Sequence, residues 1–187
     1  AAVWCPARQC ACAARSAAGA GGRVVAVTFE PLPAAVLRPA AKQPRLTDAA
    51  RRADLLVAAG CDEVRTIDPR DGVLTELPEE FIARLRAALP FEAIAEGADF
   101  RFGRGRSGDV GTLRAIGARD GFKAIRLGEV DAALGDRTIV APRSSTIRWL
   151  LSLGRVADAA LLLGRAHAVT GTVERGAQRG RVLGFPT

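Results

Sequence analysis

Short apolar runs alternate with helix-like segments along this chain, and that alternation limits its fold more than any other feature. The first run, 24–29, is continuous and rich in valine, as a buried parallel strand would be. Further strand candidates lie at 63–67, 91–95, 122–130, 138–141 and 166–173. Helix candidates lie at 49–59, 78–89, 109–119, 144–153 and 155–163. Strands that alternate with helices predict an α/β fold with a mostly parallel, doubly wound sheet.

Two loops come directly after strand candidates, one at 28–33 and one at 97–108. In open parallel sheets, ligands bind beyond the carboxyl ends of the strands. We therefore expect both loops to border the functional site.

The second loop combines glycines, arginines and aromatic residues, in the order Gly97-Ala98-Asp99-Phe100-Arg101-Phe102-Gly103-Arg104-Gly105-Arg106-Ser107-Gly108. Glycines let a backbone turn sharply and approach a ligand closely. Arginines between them offer planar donors to phosphate groups. Phe100 and Phe102 either pack in the core or lie against a flat ligand ring. Surface loops often have this composition, so the ordered string carries more weight than the residue types.

A second cluster of polar residues, Arg143-Ser144-Ser145-Thr146-Ile147-Arg148, opens a helix candidate. Serines at a helix start cap it, and the free backbone N–H groups there attract anions. Arg148 lies one turn into the helix and can reach the same anion. The alternative is an ordinary helix cap followed by a solvated arginine.

These stretches occur in the order found in bacterial bifunctional riboflavin kinase/FAD synthetases, and each resembles a motif of that family. The glycine loop is similar to GxDFxFGxxxxG, and 143–148 is similar to SSTxIR, with Arg143 in place of the first serine. The run 28–33 resembles TFEPHP, with Leu32 in place of the histidine. Arg38-Pro39 and Arg45-Leu46-Thr47 match the family's LRP and RLT stretches. From Leu163-Gly164-Arg165 to Gly184-Phe185-Pro186-Thr187, the chain is similar to the opening of the kinase domain.

The resemblance implies a Rossmann-like nucleotidylyltransferase fold followed by a truncated start of a β-barrel kinase domain. It divides the chain into a degenerate or frameshifted start at 1–20, an FMN adenylyltransferase domain at 21–163 and a kinase edge at 164–187. The chain has no methionine, so we expect that both ends are cut or that the gene model is damaged.

The implied function is FAD biosynthesis, in which AMP passes from ATP to FMN with Mg²⁺ as cofactor, and riboflavin is phosphorylated in the intact protein. The resemblance gives catalytic roles to Arg148 and Ser144 and phosphate-binding roles to four residues: Ser144, Ser145, Arg148 and Thr28. It places five residues near flavin or nucleotide: Gly97, Asp99, Phe100, Phe102 and Gly103. Thr187 would bind metal only in an intact kinase domain.

The family's HxGH motif is missing from this chain, which is the largest departure from the pattern. The single histidine, His167, lies far along the sequence, where a packing role is expected. Cys5-Pro6-Ala7-Arg8-Gln9 falls at the distance from Val24 where the family has HxGHQ. A frameshifted start is our hypothesis for this, and reading the DNA in its other frames would test it. A catalytically inactive fragment that binds nucleotide or flavin is therefore the alternative function.

The net charge of +7 raises the further possibility of a nucleic-acid binder, whose affinity would fall steeply with salt. Only Lys42 and Lys123 are lysines, however, so the charge reflects an arginine-rich composition without a localised basic patch. We expect no nucleic-acid or membrane partner and a cytoplasmic location. The cysteines are expected to be free thiols, because their spacing does not fit a zinc site.

Overall fold

The structure is a computed structural model that describes residues 6–19, 21–40, 43–174 and 184. Its helices are α1 (Pro6–Ala18), α2 (Pro33–Leu37), α3 (Ala49–Ala58), α4 (Pro78–Ala88), α5 (Val110–Asp120), α6 (Ser144–Ser152) and α7 (Val156–Leu163). Its strands are β1 (Val25–Phe29), β2 (Glu63–Ile67), β3 (Ala93–Glu96), β4 (Lys123–Arg126), β5 (Ala132–Ala133) and β6 (Ile139–Val140).

The strands pair in three two-stranded units. β1 lies parallel to β2, with Val25 opposite Glu63, and β3 lies parallel to β4, with Ala93 opposite Lys123. β5 and β6 form a short antiparallel pair. The predicted α/β class and the parallel pairing are confirmed. The single doubly wound sheet is replaced by separate pairs, because no ladder joins β1 to β3 among the described residues.

Local signals fix where the helices begin and end. The carboxylate of Asp48 accepts a hydrogen bond from the Arg51 N–H at 2.7 Å, and α3 begins directly after it. α4 begins at Pro78, as predicted, and the Leu77 N–H donates to the Glu80 carboxylate at 2.7 Å. α5 ends where Gly121 takes a left-handed conformation, with φ of 81°.

Two large apolar clusters, and a third small one of Ala11, Val24 and Cys61 that joins α1 to the start of β1, hold the described residues together. The larger joins α4, α5 and the glycine loop and contains Val73, Phe81, Ile82, Phe102, Leu113, Ile116 and Phe122. The smaller joins α6 and α7 and contains Leu134, Ile147, Leu150, Ala159 and Leu162. The strand ends and the loops beyond them are therefore anchored from both sides.

The predicted strand at 166–173 is wrong. Residues 166–174 form no helix or strand, and Val169 and Val173 are 88% and 99% exposed. A strand needs a neighbour for its backbone groups, and none lies beside this segment among the described residues. The start of a kinase barrel therefore stays a prediction, and Thr187 lies outside the described residues. The strand predicted at 122–130 is shorter, because β4 ends at Arg126.

The first twenty residues, where the sequence predicts no strand, contain helix α1. Alanine dominates this segment and favours helix. Arg15 anchors the helix by donating to the carbonyl oxygens of Gly22 at 2.9 Å and Gly60 at 3.0 Å. It also pairs with Asp62 at 2.8 Å, so α1 packs onto the start of β1 and β2.

Gly117 marks a close contact within the larger cluster. A Cβ at this position would lie 2.6 Å from the backbone oxygen of Phe122. We expect Gly117→Ala to lower the free energy of unfolding by about 1–3 kcal/mol, because backbone has to move to admit the methyl group. Gly128→Ala is the matched control, since a Cβ there meets nothing within 4 Å. Urea denaturation of both variants checks this, and equal midpoints would contradict it.

Candidate functional site

The loop after β1 is held by a cluster of charges around Glu30. The Glu30 carboxylate accepts hydrogen bonds from Arg45 at 2.6 Å and Arg52 at 2.8 Å. Arg52 also donates to the carbonyl oxygen of Phe29 at 3.0 Å. The bonds from Arg45 and Arg52 lower the pKa of Glu30. The cluster therefore fixes the carboxyl end of β1 against the segment that carries Arg45.

The glycine loop after β3 folds back on itself. Phe102 and Gly108 exchange two backbone hydrogen bonds, of 3.0 and 2.9 Å. Gly103 has φ of 72°, and a Cβ there would lie 2.8 Å from Pro78 Cγ. A side chain at this position would meet both an unfavourable conformation and a steric clash. The glycine thus lets the loop pass against the start of α4.

The two aromatic residues of this loop have different surroundings. Phe102 is 7% exposed and lies in the larger core cluster, 6.1 Å from the Phe81 ring centroid. Phe100 is half-buried and stacks on Phe102 at 5.2 Å between centroids, with 15° between the ring planes. Of the two possibilities that the sequence left open, the structure gives Phe102 the core position. Phe100 retains one partly exposed side.

Helix α6 begins beside the glycine loop. Ser144 and Ser145 are exposed in its first turn. Arg143, the residue before the helix, has guanidinium nitrogens 4.0 Å from the Asp99 carboxylate and 4.0 Å from the Glu129 carboxylate. Arg143 therefore brings Asp99 and the serines of α6 to one place.

Arg148 is more enclosed than a solvated arginine. Its Nε donates a hydrogen bond to the carbonyl oxygen of Pro44 at 2.6 Å. The side chain is half-buried, and that burial lowers the pKa of its guanidinium group. This bond ties α6 to the segment that holds Arg45. The same segment reaches Glu30, so the β1 loop and α6 share a neighbour.

These contacts form a chain around the strand ends. Glu30 binds Arg45, the adjacent Pro44 binds Arg148, and Arg143 on the same helix faces Asp99. Thr28 lies within β1, half-buried and opposite Thr66, two residues before the loop begins at Glu30. The loops predicted to border a ligand are thus brought together with α6. Sequence reasoning missed Glu30, Arg45 and Arg143 as contributors, because only their neighbours in space reveal what they do.

Glu96, at the end of β3, is a further residue that sequence reasoning missed. Burial raises the pKa of its carboxyl to about 7, opposed by a hydrogen bond from the Gly97 N–H. The nearby negative charge of Asp99 raises that pKa further. A carboxyl that ends the apolar run Ala93-Ile94-Ala95 was the available signal.

Within the described residues, no group of three or more His, Cys, Asp and Glu side chains could hold a metal ion. Asp99 and Glu129 are the carboxylates beside α6, and Arg143 faces both. In the same part of the chain, no helix is long and apolar enough to cross a membrane.

The described residues combine parallel strand pairs with a glycine loop, a helix that begins with serines and an enclosed arginine. Such a combination is typical of α/β proteins that bind phosphate-containing ligands. A sequence profile of FAD synthetase matches residues 11–140. The chain belongs to the FAD synthetase family.

Relatives agree with this assignment, and a solved structure agrees with the fold. A bifunctional riboflavin kinase/FMN adenylyltransferase of Escherichia coli strain K12 is 34% identical over 88% of this chain and 51% of its own length. One from Listeria monocytogenes is 30% identical over 93% of this chain and 54% of its own length. The chain thus spans about half the length of these relatives. A solved structure described as a macrolide-efflux protein from Streptococcus pneumoniae aligns with a TM-score of 0.68. It is 24% identical and covers 88% of this chain and 52% of its own, and it supports the fold.

Proposed function

We propose that this chain binds ATP and FMN and acts as an FMN adenylyltransferase in FAD biosynthesis. The observation that carries the proposal is the chain of contacts from Glu30 through Arg45 and Pro44 to Arg148 on α6. It gathers the cationic side chains of Arg45 and Arg148 near the carboxyl edge of β1, where the sequence predicts a ligand. Relatives that carry both activities in their names are similar over most of this chain.

In the proposed reaction, a phosphate oxygen of FMN attacks the α-phosphorus of ATP. A new phosphorus–oxygen bond forms, the bond between the α- and β-phosphates breaks, and pyrophosphate leaves with the electron pair. No covalent bond to the protein is needed. The protein contributes by holding the two phosphate groups in line and by stabilising the charge that develops between them.

The residue roles follow from these requirements. Arg148 supplies fixed positive charge to the ATP phosphates, and its contact with Pro44 limits its motion. Ser144 and Ser145 offer hydroxyl and backbone donors at the start of α6. Thr28, Gly97, Asp99, Phe100 and Gly103 would border the flavin and nucleotide groups. Phe102 supports this loop from within the core.

We propose that Mg²⁺ arrives with the triphosphate, because the described residues hold no cluster of three or more potential metal ligands and Mg²⁺ is commonly held by substrate phosphates. When bound, it supplies positive charge at the phosphate oxygens. Riboflavin phosphorylation is proposed for a longer protein, since the relatives extend well beyond the length matched here.

A second candidate function, binding without transfer, is favoured by one residue. Leu32 occupies the position where the family motif has a histidine, and leucine can neither donate a hydrogen bond nor carry charge. The absence of HxGH from the sequence favours the same alternative.

Incubation of the purified chain with FMN, ATP and Mg²⁺ tests these proposals, with FAD and pyrophosphate measured separately. We expect the two products in equal amounts, as a single adenylyl transfer requires. Saturable binding of both substrates without products would support the second candidate. No binding of either substrate would contradict both.

A further inference from the structure

Arg143 and Arg155 each lie between two carboxylates, and they differ in how tightly they are held. Arg155 donates hydrogen bonds to Asp136 at 2.8 Å and to Asp158 at 2.7 Å, and its side chain is 30% exposed. Asp158 also accepts a hydrogen bond from the Gly135 N–H at 2.8 Å. Short charged hydrogen bonds of this kind hold an arginine in one position. Arg155 is therefore committed to joining α7 to the loop between β5 and β6.

The guanidinium group of Arg143 is attracted by its two carboxylates without being bound to either. Its Nε lies 4.0 Å from the Asp99 carboxylate, and a second nitrogen lies 4.0 Å from the Glu129 carboxylate. Both distances are too long for hydrogen bonds, and 53% of the side chain is exposed. No described residue accepts a hydrogen bond from this group. Its planar set of donors is therefore free for another partner.

The backbone of Arg143 is fixed, although its side chain is not. The Arg143 N–H donates to the Ala141 oxygen at 2.8 Å, and the Arg143 oxygen accepts from the Ile147 N–H at 3.0 Å. Ser144 and Ser145, which the proposed function assigns to the ATP phosphates, follow directly and are exposed. A guanidinium group with free donors is thus tethered beside the place proposed for these phosphates.

We propose that Arg143 passes from the carboxylates of the protein to the phosphates of ATP when the nucleotide binds, so that Glu129 competes with ATP for this arginine and limits its affinity. The inference rests on the proposed function. A triphosphate carries more negative charge than a carboxylate and offers oxygens for paired hydrogen bonds with a guanidinium group. The attraction of Glu129 across 4.0 Å is weak by comparison, because both side chains are exposed.

Direct repulsion between Glu129 and the nucleotide is a simpler effect that the experiment has to separate from competition. A negative carboxylate repels phosphates whether or not Arg143 is present. Removing the charge of Glu129 therefore raises ATP affinity under both descriptions. Only competition for Arg143 makes that gain depend on the arginine, and a double-mutant cycle measures this dependence.

Titration with ATP and Mg²⁺ is carried out on four proteins: the unaltered full chain, Arg143→Ala, Glu129→Gln and the variant with both changes. We expect Arg143→Ala to weaken ATP binding by about tenfold, since a charge-assisted hydrogen bond is lost. Glu129→Gln should strengthen it by about two- to fivefold, the range for release of an exposed ion pair. When Arg143 is already alanine, Glu129→Gln should leave the affinity nearly unchanged.

Asp131→Asn is the matched control for Glu129→Gln. Asp131 is an exposed carboxylate two residues further along the same segment, so the variant removes the same charge without releasing Arg143. Its ATP affinity should stay close to that of the unaltered chain. Urea denaturation of every variant checks that it is folded, and the exposure of Arg143 and Glu129 predicts only small changes in stability.

Three results would overturn the inference while leaving the proposed function in place. An equal gain from Glu129→Gln with and without Arg143 would show that direct repulsion alone is at work. Equal gains from Glu129→Gln and Asp131→Asn would show a general effect of charge. Unchanged ATP affinity in Arg143→Ala would show that this arginine does not reach the phosphates. Failure of the unaltered chain to bind ATP would instead contradict the proposed function, and this inference with it.

Discussion

Arg148→Ala is expected to weaken the stabilisation of bound ATP phosphates and of the transition state by about 2–4 kcal/mol, the range found when a preorganised donor is lost. Arg148 is half-buried, and its Nε is held by the Pro44 carbonyl at 2.6 Å. It therefore loses little freedom when it meets a phosphate. Titration of each variant with ATP and Mg²⁺ measures the effect on binding, and FAD formation measures the effect on the rate.

Two controls separate charge from geometry in this experiment. Arg148→Lys keeps the positive charge but loses the planar set of donors, so an intermediate effect is expected. Arg114→Ala removes an exposed arginine from α5 and should leave ATP binding unchanged. Equal ATP affinities for Arg148→Ala and Arg114→Ala, both shown to be folded by circular dichroism, would contradict the role proposed for Arg148.

Glu96→Gln is expected to stabilise the chain at alkaline pH by as much as about 3 kcal/mol. Burial raises the pKa of the Glu96 carboxyl from 4.5 to about 7 in the folded protein. Below the pKa of Glu96 in the unfolded chain, the carboxyl is protonated in both the folded and the unfolded state. Its burial then does not lower the free energy of unfolding through ionisation. As pH rises towards 7, the unfolded chain releases this proton more readily, so the unaltered protein loses stability. Glutamine does not ionise and avoids this loss.

Urea denaturation of the variant and the unaltered chain at several pH values measures this difference. The two should have similar free energies of unfolding at about pH 4 and diverge up to about pH 8. Glu92→Gln is the matched control, since Glu92 is exposed just before the same strand. A difference that is constant with pH would show that Glu96 is not the group responsible.

Local sequence signals predicted much of the fold. β2 lies at Glu63–Ile67 and α4 begins at Pro78, both as expected, because strand-favouring residues and a proline at the first helical turn act over short distances. The strand expected at 166–173 is absent, since a strand also depends on a partner elsewhere in the chain. The division of the sheet into pairs has the same cause: pairing is a property of the tertiary structure.

The candidate site was predicted only in part, because contacts between residues distant in the sequence leave no local pattern. Motif order indicated Arg148, Ser144 and Asp99, and the structure places Arg143 at 4.0 Å from Asp99 at the start of the helix that carries the other two. The contact between Arg148 and Pro44 spans 104 residues of sequence, and no local pattern could reveal it. The carboxyl of Glu96 left a local signal in the sequence, but its burial depends on residues distant in the sequence.

Hydrogen–deuterium exchange of the chain, with and without FMN and a non-hydrolysable ATP analogue, tests most directly whether these segments form one site. Ligands should slow exchange together in the loop after β1, in the glycine loop 97–108 and in the first turn of α6. Protection confined to one of these segments, or found only elsewhere in the chain, would contradict a shared site for nucleotide and flavin.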